Sequence, residues 1–537
     1  MLALLALAAW VRVYAWQQTT ALFNDGPIFL YIAEAMGEGD WQAVFQHPYH
    51  PLYPLAVAAL GSWVGDLEQA AVLVSIATGT AAVGMLYLFL REAFAEREAW
   101  IGAGILALHP TFVDFSSDVQ SEGLYVLCFL AAVWLIWRGL SRGEARWAAL
   151  GGLAVGLAYL VRPEGLLLCV PVAGLAGYQL LRKRWRPVAA LAWMGAFTAG
   201  MAIAAVPYVF AIRGVTGQWA ITQKYSAIQV AALARSGEAA APGWSVAERA
   251  RTGALDAGAG SATPSRPGRA PRTIPLVEVA PRLGAPPPEA PKSAIARALR
   301  ALDELSGAAV SGLRFSLLPF VLIGVVAGWG SFGLRDGYLA AIAGCYGLVL
   351  FGLALGAGYV SRRHALPPLL PALGYAAVGV PIVGGILLDL GRGRRPAPRP
   401  AGGGRYRAAA LLGFAIILLF AVPRDLRERR SSSLGQRRAA EWLREQPHTS
   451  GAVAAGHLRI AYYAGETFVP IPAGGEGEDI LIYLQKRGVR YLIIDDKRLQ
   501  ELGGLREAVG RELRLLHRSE TRGDDVAVYR VADREAP

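Results

Sequence analysis

Along the chain, apolar residues fall in long uninterrupted blocks, not in the two-residue alternation of a half-buried strand or the 3.6-residue stripe of a surface helix. The blocks lie at about 1–16, 69–90, 99–112, 119–137, 147–161, 164–181, 188–212, 309–333, 337–359, 365–390 and 408–422. A helix needs roughly 20 mainly apolar residues to cross a bilayer core, so the pattern predicts a mainly α, polytopic bundle of about eleven spans. Residues 1–16 lack the charged n-region and small-x-small site of a signal peptide, so they read as a slightly truncated first span with Arg12 near its outer end. Residues 17–68 are a polar and aromatic excursion. Its two apolar stretches, 28–36 and 52–64, are too short to span and suit helices lying in the interface.

Two further segments break the pattern. Residues 235–292 are dominated by Ala, Pro, Gly and Arg and cannot bury enough apolar surface to offset chain entropy, which predicts a mobile stretch. It runs into SAIARALRALDELSG, where Ile295, Leu299, Leu302 and Leu305 recur at three- and four-residue steps, the pattern of an amphipathic helix. From about 431 the composition becomes that of a soluble α/β layer. RRAAEWLREQ and EDILIYLQKRG read as helices, and GAVAAG, VRYLIIDD and DDVAVYRVA as strands. The expected domains are a transmembrane module over 1–212 with first loop 17–68, a long loop over 213–308, further spans over 309–423, and a soluble domain over 431–537.

Composition and charge narrow the picture. Apolar residues make up 54% and charged residues 18%, against roughly 45–50% and about 25% in soluble domains. The net charge of +12 would suit a nucleic-acid partner, but the basic residues sit in short clusters between apolar blocks, so the charge reports topology and no nucleic acid is expected. With a cytoplasmic N-terminus, the inside loops REAFAERE, RGLSRGEAR, LRKRWR, LRDG and GRGRRPAPRPAGGGRYR hold 16 basic residues. The first loop, the turns near 113–118, 162–163 and 360–364, the 213–308 segment and the tail from 424 then share the extracytoplasmic side. Cys128, Cys169 and Cys345 lie inside apolar segments with no ligand spacing around them and read as packing residues.

The candidate chemistry lies on that one side. Asp25 follows the first span; it could act as a base for an acceptor hydroxyl or amine, or cap the helix after it. His47, Tyr49, His50 and Tyr53 crowd QHPYHPLYP and could stack on a sugar or touch a phosphate, although an aromatic interface belt has the same composition. Glu122, with Asp118 as competitor, opens a span and should point into a cavity or cap the helix. Arg162 and Glu164 interrupt an apolar run beside Pro163, where a mutual ion pair is the plain alternative to a functional one. Arg362, Arg363 and His364 break two spans on the side that should be poor in positive charge. They call for an anion such as a lipid phosphate, either as a substrate or as a headgroup anchor.

Taken in order, NDGPIFLY, HPYHPLYP, SEGLY, RPEG and SRRHALPPLLP resemble the membrane glycosyltransferases of the GT-C superfamily. The nearest branch is bacterial family 39, of the protein O-mannosyltransferase and aminoarabinose transferase type. The tail, RRAAEWLREQ with RIAYYAGE and VRYLIIDD, resembles the soluble C-terminal domain of those bacterial members. The resemblance implies inverting transfer of a sugar from a polyprenyl-phosphate donor to a lipid, glycan or protein acceptor, on the extracytoplasmic face of a bacterial inner membrane. It places catalytic carboxylates at Asp25 and Glu122, donor-phosphate contacts at Arg363, His364 and Arg162, and substrate contacts at Tyr31, His47, His50 and Tyr53. Asp25 is followed by Gly26 where the family commonly has a second acid, and no WWDYG-like signature is present, so the oligosaccharyltransferase metal site is not carried over. No cofactor is fixed by the sequence; a divalent cation stays open, and membrane lipids are the other expected partners. Two further readings are a lipid-linked-sugar flippase or transporter, which would want broken spans in matched halves, and an O-antigen ligase-like enzyme, which would want a histidine in the 213–308 loop, where none occurs.

Overall fold

The computed structural model describes residues 1–224, 293–329, 332–395, 403–447, 451–472, 477–521 and 525–532; the expected mobile stretch 235–292 lies outside the described residues. The described residues form two compact units. One comprises Met1–Gln18 and the described residues from Ala33 to Arg427, the other Thr19–Ile32 and the described residues from Glu428 onward.

The first unit is helical throughout, because backbone polar groups in a hydrocarbon layer must be satisfied within the segment. Each of the eleven apolar blocks meets a helix. Among the described residues, seven helices are long and apolar enough to cross a membrane: Leu67–Ala93, Glu122–Arg142, Pro163–Leu181, Pro187–Thr216, Leu334–Gly356, Arg362–Gly391 and Gly403–Asp425. The helices Leu2–Gln17, Leu52–Val64 and Ala145–Val161 are shorter.

The expected single span over 309–333 is corrected. Ala294–Leu313 and Leu318–Gly328 are two helices bent by 96° at the break. Arg314 sits there in the left-handed region at φ 65°, and Pro319 opens the second helix, where its missing N–H costs nothing. The 99–112 block is likewise split, into Glu96–Ala107 and Pro110–Phe115, with His109 Nδ1 accepting from Phe112 N as the cap of the second piece. Arg12 is fully buried: its guanidinium donates to Ser116 Oγ at 2.8 Å and to the carbonyls of Ala8 and Ala107. The three cysteines are free thiols, and Cys128 is buried in the packing.

Helix Ala145–Val161 packs on Pro187–Thr216 through small residues. An added Cβ at Gly152 would press into the carbonyl of Phe197, one at Gly200 into that of Ala149, and one at Gly156 into Met201 and Ala204. Small residues let helix backbones approach where no hydrophobic force separates lipid from protein. Gly152→Ala should therefore lower stability by about 1–3 kcal/mol, as overpacking does, and the thermal unfolding midpoint of the purified full-length chain checks this. An unchanged midpoint would mean that the two helices do not meet so closely.

The second unit carries a five-stranded sheet in the order β2-β1-β3-β5-β4. β1 (Ala452–Ala455), β2 (Thr467–Pro470) and β3 (Val489–Asp495) run parallel, while β5 (Val526–Val531) is antiparallel to β3 and to β4 (Leu513–Ser519). Ile480 and Leu484 of helix Gly477–Lys486 pack with Leu492 and Ile494 of β3 in its core. This is the α/β layer expected from the tail, with β2 and β4 added.

Candidate active site

Three chain reversals in the first unit bring charged side chains together. Glu122 stands in the first turn of Glu122–Arg142, where unpaired N–H groups and the helix dipole favour a carboxylate. Arg162 is the extended residue that ends Ala145–Val161, since the following Pro163 disfavours helical backbone before it. Ser361 caps Arg362–Leu369 by accepting from Arg363 N at 3.2 Å, which sets Arg362, Arg363 and His364 in one first turn.

Arg162 Nη1 donates to Glu122 Oε1 at 2.8 Å, and Arg363 Nε donates to the same oxygen. The Glu122 side chain is 2% exposed, that of Arg162 8% and that of Arg363 16%, so the cluster is nearly dry. Glu122 Oε2 is buried and has no hydrogen-bond partner among the described residues. Arg162 Nε also lies 3.7 Å from Glu164 Oε2, so the sequence-adjacent pair exists but is the longer of the two. The Arg162 guanidinium stands over the Tyr125 ring at 5.7 Å, and Tyr346 OH donates to the Glu164 carbonyl at 2.8 Å. Arg362 turns elsewhere, to Asp114 Oδ2 at 3.5 Å.

His50 lies within electrostatic reach of Glu164 and Arg162. Its Nε2 is 3.1 Å from Thr222 Oγ1, and its ring packs on Tyr159 at 5.0 Å and Tyr208 at 5.1 Å. Burial, reinforced by the nearby Lys224 charge, lowers its pKa to about 3, so it offers a neutral imidazole at pH 7.

The other sequence candidates have partners of their own. Buried His47 accepts from Tyr49 N through Nδ1 at 3.2 Å and stiffens its own turn. Tyr53 is fully buried, its hydroxyl bonded to the Ala71 carbonyl at 3.2 Å and Ser75 Oγ at 3.0 Å. Asp118 accepts from Val119 N at 2.7 Å. Asp25 and Tyr31 belong to the second unit. The Asp25 carbonyl accepts from Ile28 N at 3.1 Å and Phe29 N at 3.4 Å as helix Gly26–Glu38 begins, and Tyr31 packs edge-on against Tyr462 at 5.7 Å.

Sequence reasoning did not single out Tyr125, Tyr346, Tyr159, Tyr208, Thr222 or Lys224. Only Tyr125 had a local sign, three residues after Glu122 on one helix face. Among the described residues, no group of three or more His, Cys, Asp or Glu side chains could hold a metal ion.

Residues 46–211 match the family model described as dolichyl-phosphate-mannose-protein mannosyltransferase. Comparison with curated proteins finds no match. Among solved structures, the chain is similar to ArnT from Cupriavidus metallidurans bound to undecaprenyl phosphate, at 13% identity over 98% of this chain and 97% of that one, with a TM-score of 0.58. The apo form of that protein gives 12% identity over the same shares and a TM-score of 0.54. An Archaeoglobus fulgidus oligosaccharyltransferase in complex with Zn and sulfate gives 14% identity over 92% of this chain and 68% of that one, with a TM-score of 0.54. Identities this low speak for the fold alone: the chain shares the fold of these membrane proteins, and its residues 46–211 carry the match to the mannosyltransferase family model.

Proposed function

We propose that the chain is a membrane glycosyltransferase that moves a sugar from a polyprenyl-phosphate donor to an acceptor, with inversion, on the extracytoplasmic face of a bacterial inner membrane. The observation that carries this reading is the buried convergence of Arg162 and Arg363 on Glu122 at the ends of apolar spans. A lipid phosphate is the anion that paired guanidiniums at the edge of a bilayer are suited to hold. That the similar Cupriavidus protein was solved with undecaprenyl phosphate bound supports a donor of this class. A flippase or transporter is not favoured, because both the fold likeness and the 46–211 match are to sugar transferases.

In this mechanism the bond between the anomeric carbon and the phosphate oxygen breaks, and its electrons leave with the lipid phosphate. Arg363 and Arg162, with His364 or the neutral His50 as hydrogen-bonding neighbours, stabilise that growing charge in a low-dielectric setting. The acceptor oxygen or nitrogen attacks from the opposite face and gives its proton to the Asp25 carboxylate. Glu122 holds the two guanidiniums side by side. With one oxygen shared between two cations it is a poor base, so its role is positioning. A lipid, glycan or protein acceptor and a hexose or pentose are all compatible with these groups.

A mass spectrum of lipid retained by the purified full-length chain tests the donor class. A polyprenyl phosphate, with or without its sugar, is the expected result; bulk phospholipid alone would overturn it. Arg363→Lys keeps the charge and loses the fork, so affinity for undecaprenyl phosphate should fall about tenfold, and Arg363→Ala should lower it further. Unchanged affinity in Arg363→Ala would move the phosphate to Arg162 and make the 362–364 turn a headgroup anchor.

A further inference from the structure

The segment that leads to Asp25 is held by the C-terminal domain at consecutive residues. Thr19 makes a parallel bridge to Arg429. Thr20 N donates to the Arg429 carbonyl at 3.2 Å, its hydroxyl to the Arg430 carbonyl at 2.6 Å, and its own carbonyl accepts from Arg437 Nη1 at 3.0 Å. The Ala21 carbonyl accepts from Arg430 Nη1 at 2.7 Å. Leu22 is held from both sides: its N–H donates to the Tyr463 hydroxyl at 2.9 Å, and its carbonyl accepts from Arg459 Nη1 at 3.2 Å. The Arg430 guanidinium then stands over the Phe23 ring at 5.7 Å. Past Asp25, Tyr31 packs on Tyr462.

These contacts are costly to arrange unless they matter. Arg430 is held in the left-handed region at φ 56°, where a non-glycine residue is strained. Arg459 is 7% exposed, and its other nitrogen is fixed by Ser433 Oγ at 2.8 Å and Gln436 Oε1 at 3.2 Å, so the guanidinium reaches Leu22 already oriented. Tyr463 is locked in turn beneath the Arg437 guanidinium at 4.9 Å. The domain thus grips Thr19–Phe23 and Tyr31, and Asp25 lies on the seven-residue stretch between the grips, two residues past Phe23.

We propose that the C-terminal domain positions Asp25, with Arg459 and Tyr463 as its positioning residues. The proposal rests on Asp25 being the base. It gives the domain a role in every turnover: a base must lie within hydrogen-bond reach of the proton it removes, and displacements near 1 Å can cost roughly a hundredfold in rate. A domain that only folded beside the membrane part would have no need to bind both polar groups of Leu22.

The test uses the full-length chain and two readouts. Hydrogen exchange at the 19–25 amides should speed up at least tenfold in Tyr463→Phe, which removes one hydroxyl, and in Arg459→Gln, with the rest of the domain still protected. In the same variants kcat for sugar transfer should fall about ten- to a hundredfold, while affinity for undecaprenyl phosphate stays as in the wild type and Arg459→Lys restores part of the rate. In an Asp25→Asn background Arg459→Gln should lower the rate no further, as expected for residues acting in series. Unchanged exchange would mean the domain does not hold the segment. Faster exchange with unchanged kcat would mean that it holds the segment without positioning the base. If Asp25→Asn itself transfers at more than about a tenth of the wild-type rate, the base assignment fails, a result separable from the exchange readout.

Discussion

Asp25→Asn should lower sugar transfer by about 10²–10⁴-fold, the usual contribution of a general base, while expression, thermal midpoint and donor affinity stay near wild type. The substitution separates the two roles the sequence left open. Asn is as good a helix N-cap as Asp, so a residue that only started helix Gly26–Glu38 would tolerate it. The carboxamide has almost the same shape as the carboxylate but cannot take up a proton at neutral pH. A base is therefore lost while the turn is kept, and the Asp25 carbonyl still accepts from Ile28 and Phe29. Asp25→Ala, which loses both roles, should be the less stable of the pair. Transfer by Asp25→Asn at more than about a tenth of the wild-type rate would remove Asp25 from the chemistry.

The fold was legible where one physical requirement dominates. Long apolar blocks must become helices in lipid, and each of the eleven meets a helix among the described residues, seven of these helices being long and apolar enough to cross a membrane. Boundaries were legible less often, because a proline or a polar pair inside a block breaks it: the 309–333 block divides at Arg314–Leu317, ahead of Pro319. The missed strands were the weak ones. β2 has only four residues, and β4 is an edge strand with most of its middle exposed, so neither carries a buried apolar run.

The candidate site was legible as residue types and not as partners. Glu122, Arg162 and Arg363 stood out because charge inside apolar sequence is costly. Their convergence on one oxygen joins residues 40 and 241 positions apart, which no local pattern can report. The burial of Tyr53 has a sequence sign: Tyr53, Val57 and Gly61 recur every four residues and form the buried face of Leu52–Val64. That periodicity outweighs the aromatic composition of QHPYHPLYP. The hold on Thr19–Phe23 had no sequence sign at all, since most of its bonds end on backbone groups that every residue carries.

Glu122→Gln should weaken both the fold and the donor site. The shared Oε1 is the partner of two guanidiniums in a nearly dry setting, and removing one member of a buried ion cluster costs about 3–5 kcal/mol because the remaining charges stay desolvated. The thermal midpoint of the full-length chain should drop accordingly, with Glu122→Ala lower still. Electrostatics alone would predict tighter phosphate binding, since one negative charge is gone from beside two cations. Geometry predicts the reverse: a neutral amide oxygen holds the two guanidiniums less tightly than the carboxylate does, Arg162 and Arg363 separate, and a fork aimed at two phosphate oxygens loses its alignment. With the two effects opposed, undecaprenyl phosphate affinity should fall about tenfold and transfer about a hundredfold, since a misaligned charge acts more weakly on the leaving phosphate than on the resting one. Coupling to Arg363→Lys should be large and non-additive, because both changes act through one oxygen. Two results would count against this role. An unchanged midpoint would mean that the three-way contact contributes nothing to the fold. Loss of transfer with midpoint and donor affinity both intact would mean that Glu122 works on the reacting groups themselves, as the family resemblance implies, and that the arginines are held in place by other partners.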